Sequence, residues 1–346
     1  MGSVTLRIGV LRRTEGWSAA IAAGLCALAI VGPGVAAGPP VPKAVTGAKV
    51  TVVARGVPTP TAFAFVGSSV LVSGYGDTSN SGVTGGVYLL QGGKAIRLPG
   101  SPDHVYGLAW HAGTLYVSDG PEILAWTGWN GAGFASSRIV VTGPSGFTKF
   151  NGIAYGPDGL LYAGVSVGTG VTDDYSRGTT PFANDVVSID PVTGAIAVVA
   201  QGIRNPWQPA FVRGHKGPLV TDLGQDNLGK NRPRDEVVEA VDGRNFGFPS
   251  CPANPTTCAR YAKPFAWFPA HASPMGLASI GGRLYISLYV GTGSGPEVVS
   301  MPVAGGSFKT FLTGYLAPVV ALGAYAGKVY SGDLSGTVYS VKGLMR

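Results

Sequence analysis

Two histidines, a lysine, an arginine and several carboxamides stand just ahead of short apolar segments, and they are the side chains of this chain best suited to chemistry. They are His104, Thr148, Lys149, Asn151, Arg204, Asn205, Gln208, His271 and Ser273, with Thr59 and Thr61 similarly placed earlier. An imidazole can take or give a proton near neutral pH, and a guanidinium or ammonium can hold an anionic ligand. Taken singly, each reads better as a turn residue that hydrogen-bonds loop backbone. Taken as a set, they point to a ligand site on a largely apolar chain.

Other chemistries leave no motif. The chain has no HExxH, no Gly-x-Ser-x-Gly and no zinc-ligand spacing, so no hydrolase triad can be assembled from motifs. Gly168-Thr169-Gly170 and Gly291-Thr292-Gly293-Ser294-Gly295 superficially suggest phosphate loops. Neither stands between a strand and a helix, and both read as turns.

The segments that must position these residues are read from composition and repetition. Of 346 residues, 45% are hydrophobic and 12% charged, with 55 glycines and 26 prolines. An ordinary soluble domain carries about 25% charged residues. This balance excludes a coiled coil, a helical bundle and a charged disordered chain, and the glycines lack the three-residue period of collagen. A β-rich protein with many tight turns remains.

A unit of one apolar strand, a Gly-centred turn and a second apolar strand recurs along the chain. Copies begin at Thr61, Tyr106, Asn151, Gln208, Met275 and Val319. A further apolar segment follows each, such as Gly86-Val87-Tyr88-Leu89-Leu90 or Val186-Val187-Ser188-Ile189. Such units at intervals of about 45 residues predict an all-β, six-bladed β-propeller with four-stranded antiparallel blades. Lys49-Val50-Thr51-Val52-Val53 is placed to complete the last blade and close the ring. A β-sandwich or two smaller β-domains is the competing architecture. The longer intervals, Ser166–Asp185 and Asp226–Pro269, read as insertions on the binding face. In a propeller the residues ahead of each inner strand converge on one mouth of the central channel, which would gather the polar set named above.

Residues 1–37 read as a signal peptide: Arg7, Arg12 and Arg13, an apolar run from Ser18 to Val31, and the cleavage-like Val35-Ala36-Ala37. A membrane anchor is the alternative, and Gly32-Pro33-Gly34 argues against a long spanning helix. A linker over 38–48 and a propeller domain over 49–346 follow. The expected location is outside the cytoplasm, either secreted or periplasmic/cell-envelope, with no membrane contact after cleavage. The net charge of +7 falls to +5 without the signal. The remaining basic residues are scattered, so nucleic acid is not an expected partner. In an exported chain Cys251 and Cys258, set in a Pro-rich loop, read as a disulfide. The alternative metal site lacks nearby histidines.

Several segments resemble the glucose/sorbosone dehydrogenases, soluble six-bladed quinoproteins that oxidise sugars with pyrroloquinoline quinone (PQQ) and calcium. The match runs through Gly202-Ile203-Arg204-Asn205-Pro206, Gly217-Pro218-Leu219-Val220-Thr221-Asp222-Leu223-Gly224, Arg234-Asp235-Glu236-Val237 and Gly243-Arg244-Asn245-Phe246-Gly247-Phe248-Pro249. It is weaker at Gly156-Pro157-Asp158-Gly159 and at His271-Ala272-Ser273-Pro274-Met275. The resemblance implies a sugar-like small-molecule substrate, an external electron acceptor, quinone contacts from Arg204 and Asn205, and calcium at Gly224 and Gln225. It also exposes a departure. Thr148 stands where the family has its histidine base, and a hydroxyl cannot accept a proton as imidazole does. His104 and His271 are the remaining catalytic candidates. Two further readings stay open: a binding propeller that has lost the chemistry, and a calcium-dependent lactonase-type hydrolase using Asn151 and Asn205.

Overall fold

The computed structural model describes residues 40–76, 83–166, 180–251 and 258–344. The signal-like segment and Gly168–Gly170 lie outside the described residues. Within them every regular element is a β-strand, and no helix is long and apolar enough to cross a membrane.

The repeats seen in the sequence are antiparallel hairpins. Pro60–Val66 pairs with Ser69–Gly76, Gly107–His111 with Thr114–Ser118, and Phe150–Tyr155 with Leu161–Val165. Likewise Pro206–Ala210 pairs with Leu219–Asp222, Pro274–Ile280 with Arg283–Leu288, and Val319–Tyr325 with Lys328–Asp333. Outer strands extend each hairpin, giving two four-stranded sheets, two five-stranded sheets and one eight-stranded sheet. The eight-stranded sheet is two four-stranded stretches joined by the single parallel pair Arg55↔Lys94. Its Thr51–Arg55 strand pairs antiparallel with Thr337–Lys342, so the start of the repeat region and its end share a sheet. Lys43–Ala44, inside the stretch read as a linker, adds an edge strand to Lys309–Thr313.

The first strands of the hairpins pack in chain order, each against the next, and Val319–Tyr325 packs back against Pro60–Val66. Apolar side chains of neighbouring sheets meet between them. Ala109, Tyr116 and Ile123 pack with Phe150, Ile153 and Leu161, and Phe63, Val72 and Tyr88 pack with Ala321, Tyr330 and Val338. Burial is therefore spread over inter-sheet seams. This suits strands whose two faces are both covered, and it explains their nearly unbroken apolar runs.

One position near the end of each second strand stitches the seams. Where it is a hydroxyl residue, that hydroxyl reaches a first-strand carbonyl of the next sheet. Ser118 donates to Phe150 O at 2.8 Å, Thr221 to Met275 O at 2.7 Å and Ser287 to Val320 O at 2.9 Å. Ser73 acts through Thr61, whose Oγ1 lies 2.7 Å from Ser73 Oγ and donates to Val105 O. Where the position is glycine, the next sheet comes closer. A Cβ at Gly164 would overlap the Pro206 carbonyl, and one at Gly332 would overlap the Pro60 ring. Each buried bond contributes about 1 kcal/mol net, and an abandoned carbonyl costs about 1–3 kcal/mol.

Candidate functional site at the starts of the inner strands

The segments leading into the first strands, and the turns leaving the second strands, meet over an apolar floor. Trp207, Leu223, Met275 and Val320 form it, with Tyr106, Tyr289 and Leu334 packed against them. These residues come from four different sheets, so the floor exists only where the sheets converge. Beside it, Lys149 Nζ lies 5.1 Å from the centre of the Tyr106 ring. Tyr106 packs on Tyr75 and Tyr75 on His104, each pair with ring centres 4.9 Å apart. All four side chains of this group are half-buried. The rings are tilted against one another, by 33° and 59°, and form an aromatic corner beside an ammonium, a setting that suits an anionic ring or a sugar face. Two buried polar atoms, Thr148 Oγ1 and Trp207 Nε1, have no hydrogen-bond partner among the described residues.

Hydrogen bonding separates the two candidate histidines. His104 Nδ1 is 2.7 Å from the Tyr75 carbonyl. A carbonyl only accepts, so Nδ1 carries the hydrogen, and neutral His104 keeps its lone pair on Nε2. That is the form a proton acceptor needs, with its ring held by the partner of the other nitrogen. His271 is engaged on both sides: Nε2 lies 3.1 Å from Gly229 O and Nδ1 lies 3.5 Å from Asp226 Oδ1. Its backbone is left-handed, with φ 63°.

Arg204 lies beneath the loop that leaves Leu219–Asp222. Its Nη1 donates to Gly224 O at 2.7 Å and Leu223 O at 3.3 Å, and Nη2 is 3.7 Å from Asp226 Oδ2. Asp222 Oδ1 accepts the Asn205 N–H at 2.7 Å. Asp235 ties two loops together: Oδ1 accepts from Gly224 N and Oδ2 from Ser273 N, both at 2.7 Å. Asp222 stands directly opposite Glu236 in the sheet, so both side chains share one face. Glu236 is buried. Both acids line a cavity of about 20 Å³ with Arg204, Gln225, Arg234 and Phe246. That is room for one water molecule.

The comparisons follow the same geometry. The iodide structure of a Trichoderma reesei protein of carbohydrate-active enzyme family AA12 is similar with a TM-score of 0.70 and 17% identity, over 90% of this chain and 100% of that one. The PQQ-bound aldose sugar dehydrogenase of Streptomyces coelicolor gives 0.66 and 20%, over 87% and 99%. A glucose dehydrogenase gives 0.63 and 12%, over 86% and 99%. The fold is glucose/sorbosone dehydrogenase-like. No protein-family model matches the chain, and no curated protein matches it.

Within this glucose/sorbosone dehydrogenase-like fold the polar set divides. His104, Lys149 and Thr148 border the aromatic rings. Arg204, Asn205, Gly224 and His271 belong to the neighbouring loop cluster, which Leu223 joins to the apolar floor. Asn151 is turned into a seam, its Nδ2 donating to Ser166 Oγ and Pro206 O, both at 2.6 Å. Asn205 Oδ1 accepts from Ser166 Oγ at 2.7 Å. Gln208 takes Thr221 Oγ1 with its N–H and Pro209 O with its side chain. Cys251 and Cys258 form the expected disulfide outside the strands, with Cys251 buried beside the small cavity. Gly291–Gly295 is a turn, and the neighbouring Glu297 accepts the Thr292 N–H at 2.9 Å. Among the described residues no three His, Cys, Asp or Glu side chains stand close enough to hold a metal.

Sequence reading missed Tyr75, Tyr106, Trp207 and Tyr289. Tyr106 and Trp207 stand at the starts of first strands, like the polar candidates, whereas Tyr75 and Tyr289 stand at the ends of second strands, where no candidate was sought. Their apolar character hid them among core residues.

The buried acids carry a pH signature. Burial pushes Asp222 up to about 7 and Asp235 up to about 6, against their backbone donors. Burial, with Asp222 and Asp235 nearby, drives Glu236 well above the ordinary carboxylate range. Unfolded carboxyls release their protons near pH 4. Between about pH 4 and 7 the folded chain therefore holds more protons than the unfolded one, and stability falls as pH rises through that window. Thermal unfolding is expected to give a higher Tm near pH 5 than near pH 8. Asp222→Asn, which keeps an acceptor for Asn205, should flatten the difference. An unchanged slope in that variant would place its origin elsewhere.

Proposed function

We propose that the six hairpin-based sheets form a closed six-bladed propeller whose axial mouth oxidises a sugar or related aldehyde or alcohol, with PQQ as the redox cofactor. The observation that carries this reading is the half-buried group of tilted rings His104, Tyr75 and Tyr106, with Lys149 beside them, at the convergence of the sheets. PQQ, when bound, supplies a two-electron acceptor for hydride. Tyr106 and Lys149 would hold it, the ammonium countering a carboxylate and the ring packing against it. His104 Nε2 is the residue-borne acceptor for the substrate hydroxyl proton. The apolar floor excludes water from the reacting carbon, and the unpartnered Thr148 hydroxyl and Trp207 N–H can orient substrate oxygens.

The export reading, with an external electron acceptor, draws support from the Cys251–Cys258 disulfide. Lactone hydrolysis through Asn151 and Asn205 is the weaker reading: Asn151 Nδ2 and Asn205 Oδ1 are engaged in seam bonds, and only Asn151 Oδ1 is left without a partner among the described residues. A binding propeller without turnover is the second reading, favoured by Thr148 at the position of the family base.

Absorbance titration of the purified full-length chain with PQQ tests the proposal. Saturable binding is expected, about tenfold weaker in Lys149→Ala, with dye reduction on adding aldoses. Binding without reduction by any aldose or aldehyde selects the second reading. No binding at all overturns both PQQ and the quinone mechanism.

A further inference from the structure

We propose that the half of the apolar floor built by the hairpins starting at Pro274–Ile280 and Val319–Tyr325 is a subsite for an alkyl or aryl group, so that the preferred substrate is an alcohol or aldehyde carrying such a group and a free aldose is held less well. The word substrate rests on the oxidoreductase reading. The subsite itself does not, and its test reads binding alone.

The polar candidates are unevenly placed around the floor. His104, Lys149 and Arg204 stand ahead of Gly107–His111, Phe150–Tyr155 and Pro206–Ala210. Around the other two hairpins, residues 288–296, 313–320 and 334–336 contain no charged residue. His271, ahead of Pro274–Ile280, is held by Gly229 O and Asp226. What these hairpins bring to the floor is apolar: Met275 and Val320 are buried, and Tyr289 and Leu334 are half-buried against them. Further out, Val290 is 50% and Leu316 67% exposed. Backbone bonds fix the turns in place. Tyr289 N donates to Ser273 O and Leu334 N to Pro318 O, both at 2.9 Å. The nearest acids are sealed inside. Asp333 is buried and accepts from Ser335 and Tyr339, and Glu297 is buried and accepts from Thr292 and Thr310.

A free aldose carries a hydroxyl on nearly every carbon. Laid over this half of the floor, its hydroxyls would leave water for Val320, Leu334 and Leu316, which offer neither donor nor acceptor, and each unpaired hydroxyl weakens binding. An alkyl or aryl group reverses the sign, because every methylene moved from water onto the floor strengthens binding. Its hydroxyl or aldehyde end is then left for the other half, where His104 Nε2 and the Tyr106–Lys149 pair stand. An apolar wall with a few polar groups at one side is the usual way a pocket orients an amphipathic ligand.

Fluorescence titration of the full-length protein without PQQ tests this, using n-alkanols from butan-1-ol to octan-1-ol, and glucose. Trp207 lies in the floor and reports occupancy, and Trp207→Phe checks that the signal arises there. In wild type Kd should fall about two- to fourfold for each added methylene. Hexan-1-ol should bind about tenfold tighter than glucose. Leu334→Ser and Leu316→Ser should each flatten the chain-length dependence below about twofold per methylene. Should Leu334→Ser fail to fold, Leu316→Ser carries the comparison, since its side chain is mostly exposed. The inference is overturned by a Kd independent of chain length, by no saturable binding, by glucose binding as tightly as hexan-1-ol, by a slope unchanged in the serine variants, or by a signal unchanged in Trp207→Phe. Alkanol binding of the expected kind in a protein that takes no PQQ upholds the subsite and removes only the oxidoreductase reading.

Discussion

Replacing His104 with glutamine is expected to lower kcat for aldose oxidation by about 10²–10⁴-fold, the usual contribution of a positioned general base. The reason is local. The Tyr75 carbonyl holds the hydrogen on Nδ1 and leaves Nε2 as the open acceptor beside the aromatic rings. Glutamine can keep the bond to that carbonyl but offers no comparable proton acceptor. PQQ affinity should change much less than kcat, because Tyr106 and Lys149 remain. His271→Gln serves as the contrast, since both of its nitrogens are already engaged, and it should cost less than tenfold. Steady-state kinetics with dye as acceptor decide the matter. If His104→Gln turns over like wild type, or the two variants lose equally, His104 is not the base.

Asp235→Ala should be the most damaging single change to the loop cluster. It removes acceptors from the Gly224 and Ser273 amides together, at a site where the carboxylate is buried. Hydrogen bonds to a charged group contribute about 1.5–3 kcal/mol each, so the loss is roughly 3–5 kcal/mol, or a fall in Tm of about 10 °C. Ser273 and His271 both sit at positive φ, 56° and 63°, and lose their anchor with the carboxylate. Asp235→Asn keeps one acceptor and should lose about half as much. Chemical denaturation of the three proteins measures it. A fall in Asp235→Ala below about 1 kcal/mol would mean that other contacts hold the two loops.

The two predictions probe different kinds of information. The hairpins were legible because each writes its own signature locally: alternating apolar residues, then a glycine turn, then a second strand, as in Leu108–Trp110 and Leu115–Val117. The Cys251–Cys258 pair was legible because seven residues of chain can bring two thiols together with little help from the rest of the fold. The Thr51–Arg55 strand at the far end of the chain was legible as an apolar run left without a partner in its own neighbourhood.

Side-chain direction was not legible. Arg204 and Asn151 occupy positions that read as lining a mouth, yet the structure turns one under its own loop and the other into a seam. Nothing within a few residues of either specifies this. It depends on the Gly224 carbonyl and the Pro206 carbonyl, which arrive from 20 and 55 residues away. Likewise His104 and His271 look alike as letters, and only their partners, Tyr75 on one side and Gly229 with Asp226 on the other, give them different capacities.

By itself, then, the chain's order of residues settled the strands, their pairing into repeated hairpins and the short cystine loop, because these follow from contacts between near neighbours and from burial periodicity. Tertiary structure alone decided which polar groups border the aromatic rings, which histidine keeps an unengaged nitrogen and which carboxyls burial pushes above their ordinary range. Those properties come from the electric field and hydrogen-bond partners of distant segments, and such segments become neighbours only when the sheets pack.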